Sequence, residues 1–178
     1  QHLIHGTTLV TNAMIERKGA KTALLTTQGF RDAVEIGRET RYDLYDLMLE
    51  QPRPLVPRYL RFDVPQRTLS DGESYAPLDV AYVEKLTAEL AANGIEAIAI
   101  SFLHSFTNPA DERAARVAVA RVAPHLRVSI SSDVVPEIRE FERTSTTIAN
   151  VYVQALVEKY VRQLENRLAA LGLTGNFY

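Results

Sequence analysis

Residues 95–103, with the sequence IEAIAISFL, restrict the fold of this chain more than any other stretch because they are apolar at almost every position. A strand exposed on one face would alternate apolar and polar residues, so this pattern predicts a strand of a parallel sheet covered on both faces. Asn108 and Pro109 then predict a helix start, and residues 126–131 predict a second strand. This β-α-β order predicts parallel pairing through a right-handed crossover.

The rest of the chain shows the same alternation of strand and helix signals, which is typical of an α/β fold. The other predicted elements are a helix at 8–17, a strand at 21–27, a short helix between Gly29 and Gly37, a helix at 79–93, and a long helix from about Arg143 to Gly172. Prolines 52, 54, 57 and 65 exclude long helices from residues 42–78, where a turn signal at 70–72 predicts a hairpin and loop insertion.

Composition indicates one globular domain and excludes several classes of protein. The 178 residues are 46% hydrophobic, which is enough for a sizeable core. A net charge of −2 without long Lys or Arg runs argues against nucleic-acid binding, and the lack of cysteine excludes disulfides and thiolate chemistry. No apolar run reaches the roughly 20 residues that cross a bilayer, so we expect no membrane association and a cytoplasmic location.

The two ends of the sequence predict a fragment of a longer protein. The chain begins at Gln1 without a polar lead-in, and its last residues, NFY, have the pattern of a strand that has just begun. Common catalytic motifs, including the P-loop, G-x-G-x-x-G, G-x-S-x-G and H-E-x-x-H, are absent from the sequence. His2 and His5 are three residues apart but lack a third ligand nearby, so we expect no metal site there.

The first polar group lies in HGTTLVTNAM, residues 5–14. Gly6 permits close approach of the backbone, and Thr7 or Thr8 can cap the helix that follows. Asn12 is four residues after Thr8 and therefore shares a helical face with it. The stretch is either a helix start that caps itself or a set of polar groups that bind an anion or a carbonyl oxygen.

The second polar group lies in TTQGFRDAVEIGRETR, residues 26–41, where a strand ends and a turn rich in polar residues follows. Ligands of α/β folds bind at the carboxyl ends of parallel strands, which makes Thr27 and Arg31 candidates. Arg31 and Glu35 also have the spacing of a simple helical salt bridge. Arg38 and Arg41 follow the short helix, where two guanidinium groups can clamp a carboxylate or phosphate.

The third polar group lies in PEIREFERTSTTIAN, residues 136–150. Arg139 and Arg143 precede a cluster of hydroxyl residues, and Thr146 and Asn150 repeat the four-residue spacing of the first group. A solvated, capped helix start is one interpretation. The hydroxyl cluster is unfavourable for a helix by propensity, however, which indicates selection for something other than helix stability.

These stretches resemble the N-terminal region of the hydantoinase A / 5-oxoprolinase family, and the resemblance spans nearly the whole chain. Asn150-Val151-Tyr152 differs slightly from the Asn-Ala-Tyr usual in that family. The matching motifs, in the family's order, are His5-Gly6-Thr7-Thr8, Thr11-Asn12-Ala13, Thr26-Thr27, Gly29-Phe30-Arg31-Asp32, Glu35-Ile36-Gly37-Arg38 and Arg139-Glu140-Phe141-Glu142-Arg143.

The resemblance implies a ribonuclease H-like, actin-like ATPase fold, of which this chain would form a half-domain. It implies an ATP-dependent enzyme that hydrolyses a cyclic amide such as hydantoin, N-methylhydantoin or 5-oxoproline through phosphoryl activation, with Mg²⁺ neutralising the phosphoryl group. An acetone-type ketone carboxylase is the alternative, and a non-catalytic domain that binds a small acid or another subunit is a third. A hydantoinase B-type subunit or domain is the implied partner, and a homo-oligomer stays open.

The resemblance also indicates which residues to examine, although it identifies no catalytic residue. Thr7, Thr8, Asn12, Arg38 and Arg143 are expected to line the substrate or phosphate side of a cleft. The secondary candidates are His5, Thr27, Arg31, Arg41, Arg139, Thr146 and Asn150. The family's Gly-Gly-Thr-Phe-Thr-Asp hairpin and its second Gly-Gly-Thr loop do not occur in this sequence. We therefore expect ATP and Mg²⁺ to bind the full-length enzyme and not this chain by itself.

Overall fold

The computed structural model describes residues 2–40, 43, 45–172 and 175–177. The strands are β1 (His2–Leu3), β2 (Thr22–Thr27), β3 (Arg61–Val64), β4 (Arg67–Thr68), β5 (Ser74–Ala76), β6 (Ala97–Ser101), β7 (Arg127–Ile130) and β8 (Asn176–Phe177). The helices are α1 (Leu9–Ile15), α2 (Ala33–Ile36), α3 (Val80–Ala92), α4 (Ala110–Val122), α5 (Ser131–Val134) and α6 (Glu140–Ala170), with a 3-10 turn at Arg58–Leu60.

The central sheet has the strand order β3-β2-β6-β7, and all of its pairs are parallel. Every residue of β2 and of β6 is buried, as the apolar run at 95–103 predicts for strands covered on both faces. The parallel pairing of β6 with β7 around α4 is confirmed. The predicted α/β class, the parallel β-α-β unit and the long C-terminal helix are also confirmed, and the architecture is consistent with an actin-like ATPase fold.

Helices cover both faces of this sheet. On one face, Ala23, Leu25, Ile98 and Ile100 pack against α3 and α4 in the larger apolar cluster. On the other face, the alternate residues, which include Leu24, Ala97 and Ala99, pack against α2 and α6. Since the two alanines are small, the long helix α6 can lie close to the strands.

The connections wind in opposite directions from the middle of the sheet. The chain leaves β2 through α2 to reach β3 on one side, and it leaves β6 through α4 to reach β7 on the other. The loops after these two neighbouring strands therefore diverge and open a crevice at their carboxyl ends. Such a topological switch point is where open α/β sheets bind ligands.

The segment 42–78 contributes to the central sheet as well as to a hairpin. Strand β3 forms the edge of the sheet next to β2, with Leu24 opposite Arg61 in the register. Strands β4 and β5 then pair antiparallel around a turn in which the Leu69 amide donates to the carbonyl of Glu73 at 2.8 Å. This segment is therefore more than a peripheral insertion, because its first strand extends the parallel sheet.

The ends of the helices differ in how well the sequence locates them. Asp79 caps α3, as predicted, and its carboxylate accepts a bond from the Tyr82 amide at 2.9 Å. Helix α6 begins at Glu140, three residues before the predicted start at Arg143.

Strand β1 pairs in parallel with β8. Among the residues that the structure describes, no helix combines the length and the apolar character needed to cross a membrane.

Candidate functional site

A crevice lies at the topological switch point, where the ends of β2 and β6 meet the first turn of α6. Its walls include Thr26 of β2, Ser101 of β6, and Arg143 and Thr144 of α6. The Ser101 and Thr144 hydroxyls are hydrogen-bonded at 2.8 Å and join the sheet to the helix. The free volume is about 10 Å³, which is close to the space that one water molecule needs. The crevice in this form is therefore too small for an organic ligand.

Arg143, one of the predicted site residues, is almost completely buried, with 1% of its surface exposed. Its guanidinium donates to the hydroxyls of Ser105 and Ser131 and lies 5.5 Å from the centre of the Phe106 ring. Burial lowers the pKa of this guanidinium, whereas the negative charges of Glu112 and Glu140 act to raise it. Its Nε atom has no hydrogen-bond partner among the described residues.

Glu112 of α4 is the fully buried acid beside this arginine, and the sequence interpretation missed it. Its carboxylate accepts bonds from the Phe102 and Ser132 amides, both at 2.8 Å, and from the Ser131 hydroxyl at 2.6 Å. One side chain thus ties together the segments that follow β6 and β7. The sequence feature that could have identified Glu112 as buried is its position on the apolar face of α4, three residues before the buried Ala115.

Arg38, the second predicted arginine, forms an ion pair at 2.5 Å with Glu142 in the first turn of α6. Gly37 precedes it with φ 60° and ψ −133°, a conformation that favours glycine, and the turn places Arg38 against α6. A bond from its own backbone amide and the Arg38 guanidinium lower the pKa of the Glu142 carboxyl, against an opposing effect of burial.

A larger cavity, here called the Arg38 pocket, lies between α2, residues 51–55 and α6. Its volume is about 940 Å³. Val34, Leu55, Phe141 and Ile148 give it an apolar surface, and Arg38 lies among its lining residues. Most small-molecule sites are concave, mainly apolar and carry a few placed polar groups. The Arg38 pocket has these properties and the switch-point crevice, at its present size, does not.

Arg31 does not pair with Glu35, so the alternative of a helical salt bridge between these two residues is not realised. Arg31 instead lies 3.5 Å from the Asp63 carboxylate at the end of β3. Glu35 pairs at 2.7 Å with Arg61, a buried arginine that also donates to the Val56 carbonyl. These ion pairs therefore attach the short helix α2 and the turn before it to strand β3.

The residues of the opening stretch contact one another and α6. The Leu9 amide donates to the Thr7 hydroxyl at 3.2 Å, and the Asn12 side-chain amide donates to the Thr8 hydroxyl at 3.4 Å. His5 is hydrogen-bonded to Tyr160 of α6 at 2.6 Å. Thr7, Thr8 and Asn12 are exposed, and they line neither the crevice nor the Arg38 pocket. The structure therefore does not bring them together with Arg38 and Arg143.

Thr27 and Arg139 have structural surroundings of different kinds. Thr27 is buried, donates to Gln66 at 3.2 Å and accepts from the Leu103 amide at 2.9 Å, so it joins three chain segments. Arg139 is exposed and has φ 82°, an unusual backbone conformation for an arginine, immediately before α6. Arg41 lies outside the described residues.

Thr146 and Asn150 lie along a separate groove of about 710 Å³ between α6 and α1. The Asn150 side-chain amide donates to the Ser129 hydroxyl of β7 at 2.9 Å. Its partner differs from that of Asn12, although both asparagines follow a threonine by four residues. Elsewhere in the described part of the chain, no cluster of three or more His, Asp or Glu side chains has the arrangement of a metal site.

The parallel sheet with helices on both faces and a crevice at its switch point defines a doubly wound α/β domain. Comparison with known families is more specific. The model of the hydantoinase/oxoprolinase N-terminal region matches residues 1–123, and the chain belongs to this family.

Three relatives, a caprolactamase, a 5-oxoprolinase and an acetone carboxylase, extend this result. The caprolactamase subunit alpha of Pseudomonas jessenii is 36% identical over 95% of this chain and 25% of that protein. The crystal structure of the ATP-dependent caprolactamase from this organism superposes with a TM-score of 0.91 and 35% identity, over 98% of this chain and 26% of that one. The 5-oxoprolinase of Saccharomyces cerevisiae is 32% identical over 92% of this chain and 15% of that protein.

The third relative is an acetone carboxylase. Its nucleotide-free structure superposes with a TM-score of 0.86 and 29% identity, over 98% of this chain and 26% of that one. The chain thus spans about a quarter of the caprolactamase subunit and of the carboxylase chain.

Proposed function

We propose that the chain is part of an ATP-dependent enzyme that hydrolyses a cyclic amide, such as hydantoin, N-methylhydantoin or 5-oxoproline, through phosphoryl activation of the substrate. The observation that carries the proposal is the 36% identity to a caprolactamase subunit over 95% of the chain. In this proposal the 178 residues belong to the N-terminal domain of the enzyme, and residues 42–78 are a hairpin and loop insertion that also supplies strand β3 to the central sheet. A hydantoinase B-type subunit or domain is the proposed partner.

The residues of this chain do not fit the phosphates of ATP by themselves. The sequence has no glycine-rich phosphate loop, and the described residues form no acidic or histidine cluster for a metal ion. ATP and Mg²⁺ are therefore proposed to bind parts of the enzyme outside this chain. Bound there, they would supply the phosphoryl group that activates the amide oxygen. The role left for this chain is to hold and orient the substrate.

An ATP-dependent ketone carboxylase is the second candidate. It is supported by the superposition on acetone carboxylase, whose TM-score of 0.86 covers 98% of the chain. Both reactions activate a carbonyl oxygen, so a pocket with a hydrogen-bond donor suits either of them.

Turnover by the intact protein with its partner subunit separates these functions. We would measure ADP release in the presence of Mg²⁺ with 5-oxoproline, hydantoin or ε-caprolactam, and in parallel with acetone and bicarbonate. The proposal predicts ADP release coupled to ring opening of a cyclic amide. Coupling to acetone carboxylation would support the second candidate, and no ATP turnover with any of these compounds would overturn both enzyme functions in favour of a non-catalytic binding domain.

Arg38→Ala in the intact enzyme is expected to raise the KM for the amide or to lower kcat by at least tenfold, about 1.4 kcal/mol. The reason is the loss of a guanidinium donor from the pocket. The Arg38 side chain is 62% exposed, so its ion pair with Glu142 adds little to stability and the variant should remain folded.

Arg58→Ala is the matched control, because Arg58 is 58% exposed and pairs with Asp32 at 2.9 Å outside the pocket. Its steady-state kinetics should equal those of the wild type. Unchanged kinetics in Arg38→Ala would show that Arg38 is a surface residue without a role in substrate binding.

A further inference from the structure

We propose that the Arg38 pocket binds the ring of an uncharged cyclic amide, with the ring packed on Phe141, Ile148 and Leu55 and an amide oxygen hydrogen-bonded to Arg38. The inference rests on the proposed function and adds to it the place and the charge class of the substrate. The cavity volume of about 940 Å³ lies within the range of small-molecule sites, roughly 300–1,000 Å³.

Helix α6 forms the apolar wall of the pocket. Phe141, Ser145 and Ile148 are spaced four and three residues apart, so they lie on one face of the helix. Val34 of α2 faces them and belongs to the same buried cluster as Ile148. The apolar face of a small ring can exclude water from the side chains of Phe141 and Ile148, which have no polar atoms to leave unpaired.

Residues 51–55 cover the pocket and are tied to α1. Arg17, immediately after this helix, donates to the Pro54 carbonyl at 3.1 Å and also to the carbonyl of Arg53. Leu55 packs with Ala13 of α1 and with Tyr152 of α6. The cover is thus attached at two points, and the pocket exists before a ligand arrives, which limits the entropy cost of binding.

Arg38 is the oriented donor of this pocket. Its Nε atom bonds to Glu142 at 2.5 Å, whereas its two terminal Nη atoms make no hydrogen bond to the described residues. The ion pair fixes the direction of the guanidinium and leaves donors for another oxygen. Because Glu142 also balances the positive charge, the site is suited to a neutral carbonyl oxygen more than to a free carboxylate.

The other charges around the pocket support the same preference. The charged residues of its lining are two acids, Glu35 and Glu39, and two bases, Arg38 and Arg53. Their formal charges cancel, so the described part of the pocket has no excess of positive charge to attract an anion. A neutral lactam or hydantoin is therefore favoured over 5-oxoproline, which carries a carboxylate.

Ser145→Leu in the intact enzyme tests the site by filling it. Ser145 lines the pocket, and its hydroxyl makes no hydrogen bond to the described residues, so leucine there adds volume without removing a contact. We expect the KM for ε-caprolactam or hydantoin to rise at least tenfold while the KM for ATP stays unchanged. Ala169→Leu makes a similar addition at an exposed site on the same helix, away from the pocket, and should change neither value.

A labelling experiment reads occupancy without turnover. The chain has no cysteine, so Ser145→Cys places a unique thiol in these 178 residues. Alkylation by iodoacetamide, followed at this position by peptide mass spectrometry, should slow at least tenfold with saturating ε-caprolactam and much less with 5-oxoproline at the same concentration. Ala169→Cys should react at the same rate with and without either compound.

The outcomes separate the site from the function. Cyclic amide turnover without protection of the Ser145→Cys thiol, or with an unchanged KM in a folded Ser145→Leu variant, would overturn the site and leave the proposed function standing. Stronger protection by 5-oxoproline would overturn the preference for an uncharged ring. Protection by ε-caprolactam in a protein that does not turn over ATP would support the site while the proposed function fails.

Discussion

Arg143→Met is expected to lower the free energy of unfolding by about 3–5 kcal/mol, which is typical when one partner of a buried charge network is removed. Arg143 is 1% exposed, and its guanidinium bonds to Ser105 and to Ser131, which in turn donates to the fully buried Glu112. Methionine would keep the packing against the Phe106 ring. It would leave the Glu112 carboxylate buried without the nearby positive charge.

Hydrogen exchange in the intact protein measures this effect locally. The Phe102 and Ser132 amides donate to Glu112, so peptides that contain them should exchange roughly 150-fold to 5,000-fold faster in the variant. Arg162→Met is the control because Arg162 is an exposed arginine of the same helix. Equal protection in Arg143→Met and Arg162→Met would mean that the buried network adds nothing to stability.

The buried polar network around Arg143 also explains why the sequence predicts the strands of the sheet more accurately than the start of α6. Strands β2 and β6 are buried at every position, and their apolar runs are visible in the sequence. The first turns of α6 are buried too, but through Arg143, Thr144 and Thr147, which are polar. Hydrophobic periodicity cannot detect a buried face that is satisfied by hydrogen bonds. The predicted start was therefore three residues late.

Strand β3 escaped prediction for a related reason. It begins with Arg61 and ends just before a proline, a pattern typical of a loop. Arg61 is nevertheless 2% exposed, because its guanidinium bonds to the Val56 carbonyl and pairs with Glu35. Since both partners come from segments distant in the sequence or irregular in structure, local propensity does not reveal that this arginine can be buried.

The sequence indicates individual candidate residues but not how the fold arranges them. Arg38 and Arg143 were both candidates, and the structure places Arg38 in the large pocket and Arg143 in the small crevice. Thr8 with Asn12 and Thr146 with Asn150 have the same four-residue spacing in the sequence. Spacing specifies a helical face and not what that face meets, and the two asparagines have different hydrogen-bond partners.

Gly19→Ala is expected to destabilise the protein by about 1–3 kcal/mol, the usual cost of an atom inserted into a packed core. A Cβ at position 19 would overlap the Tyr152 ring of α6, which is 7% exposed. The Ala20 amide donates to the Tyr152 carbonyl at 2.9 Å, so the chain before β2 cannot move away from α6 without stretching that bond. Glycine is required here for close approach and not for a positive φ.

Thermal unfolding of the intact protein, with Gly6→Ala as control, measures this cost. A methyl group at Gly6 would meet no described atom within 4 Å, and the φ of Gly6 is not positive, so alanine there should leave the unfolding temperature unchanged. In the Gly19→Ala background, Tyr152→Leu should be less damaging than in the wild type, because the smaller side chain removes the overlap. Additive effects of the two substitutions would contradict this explanation, since residues that clash must be coupled in a double-mutant cycle.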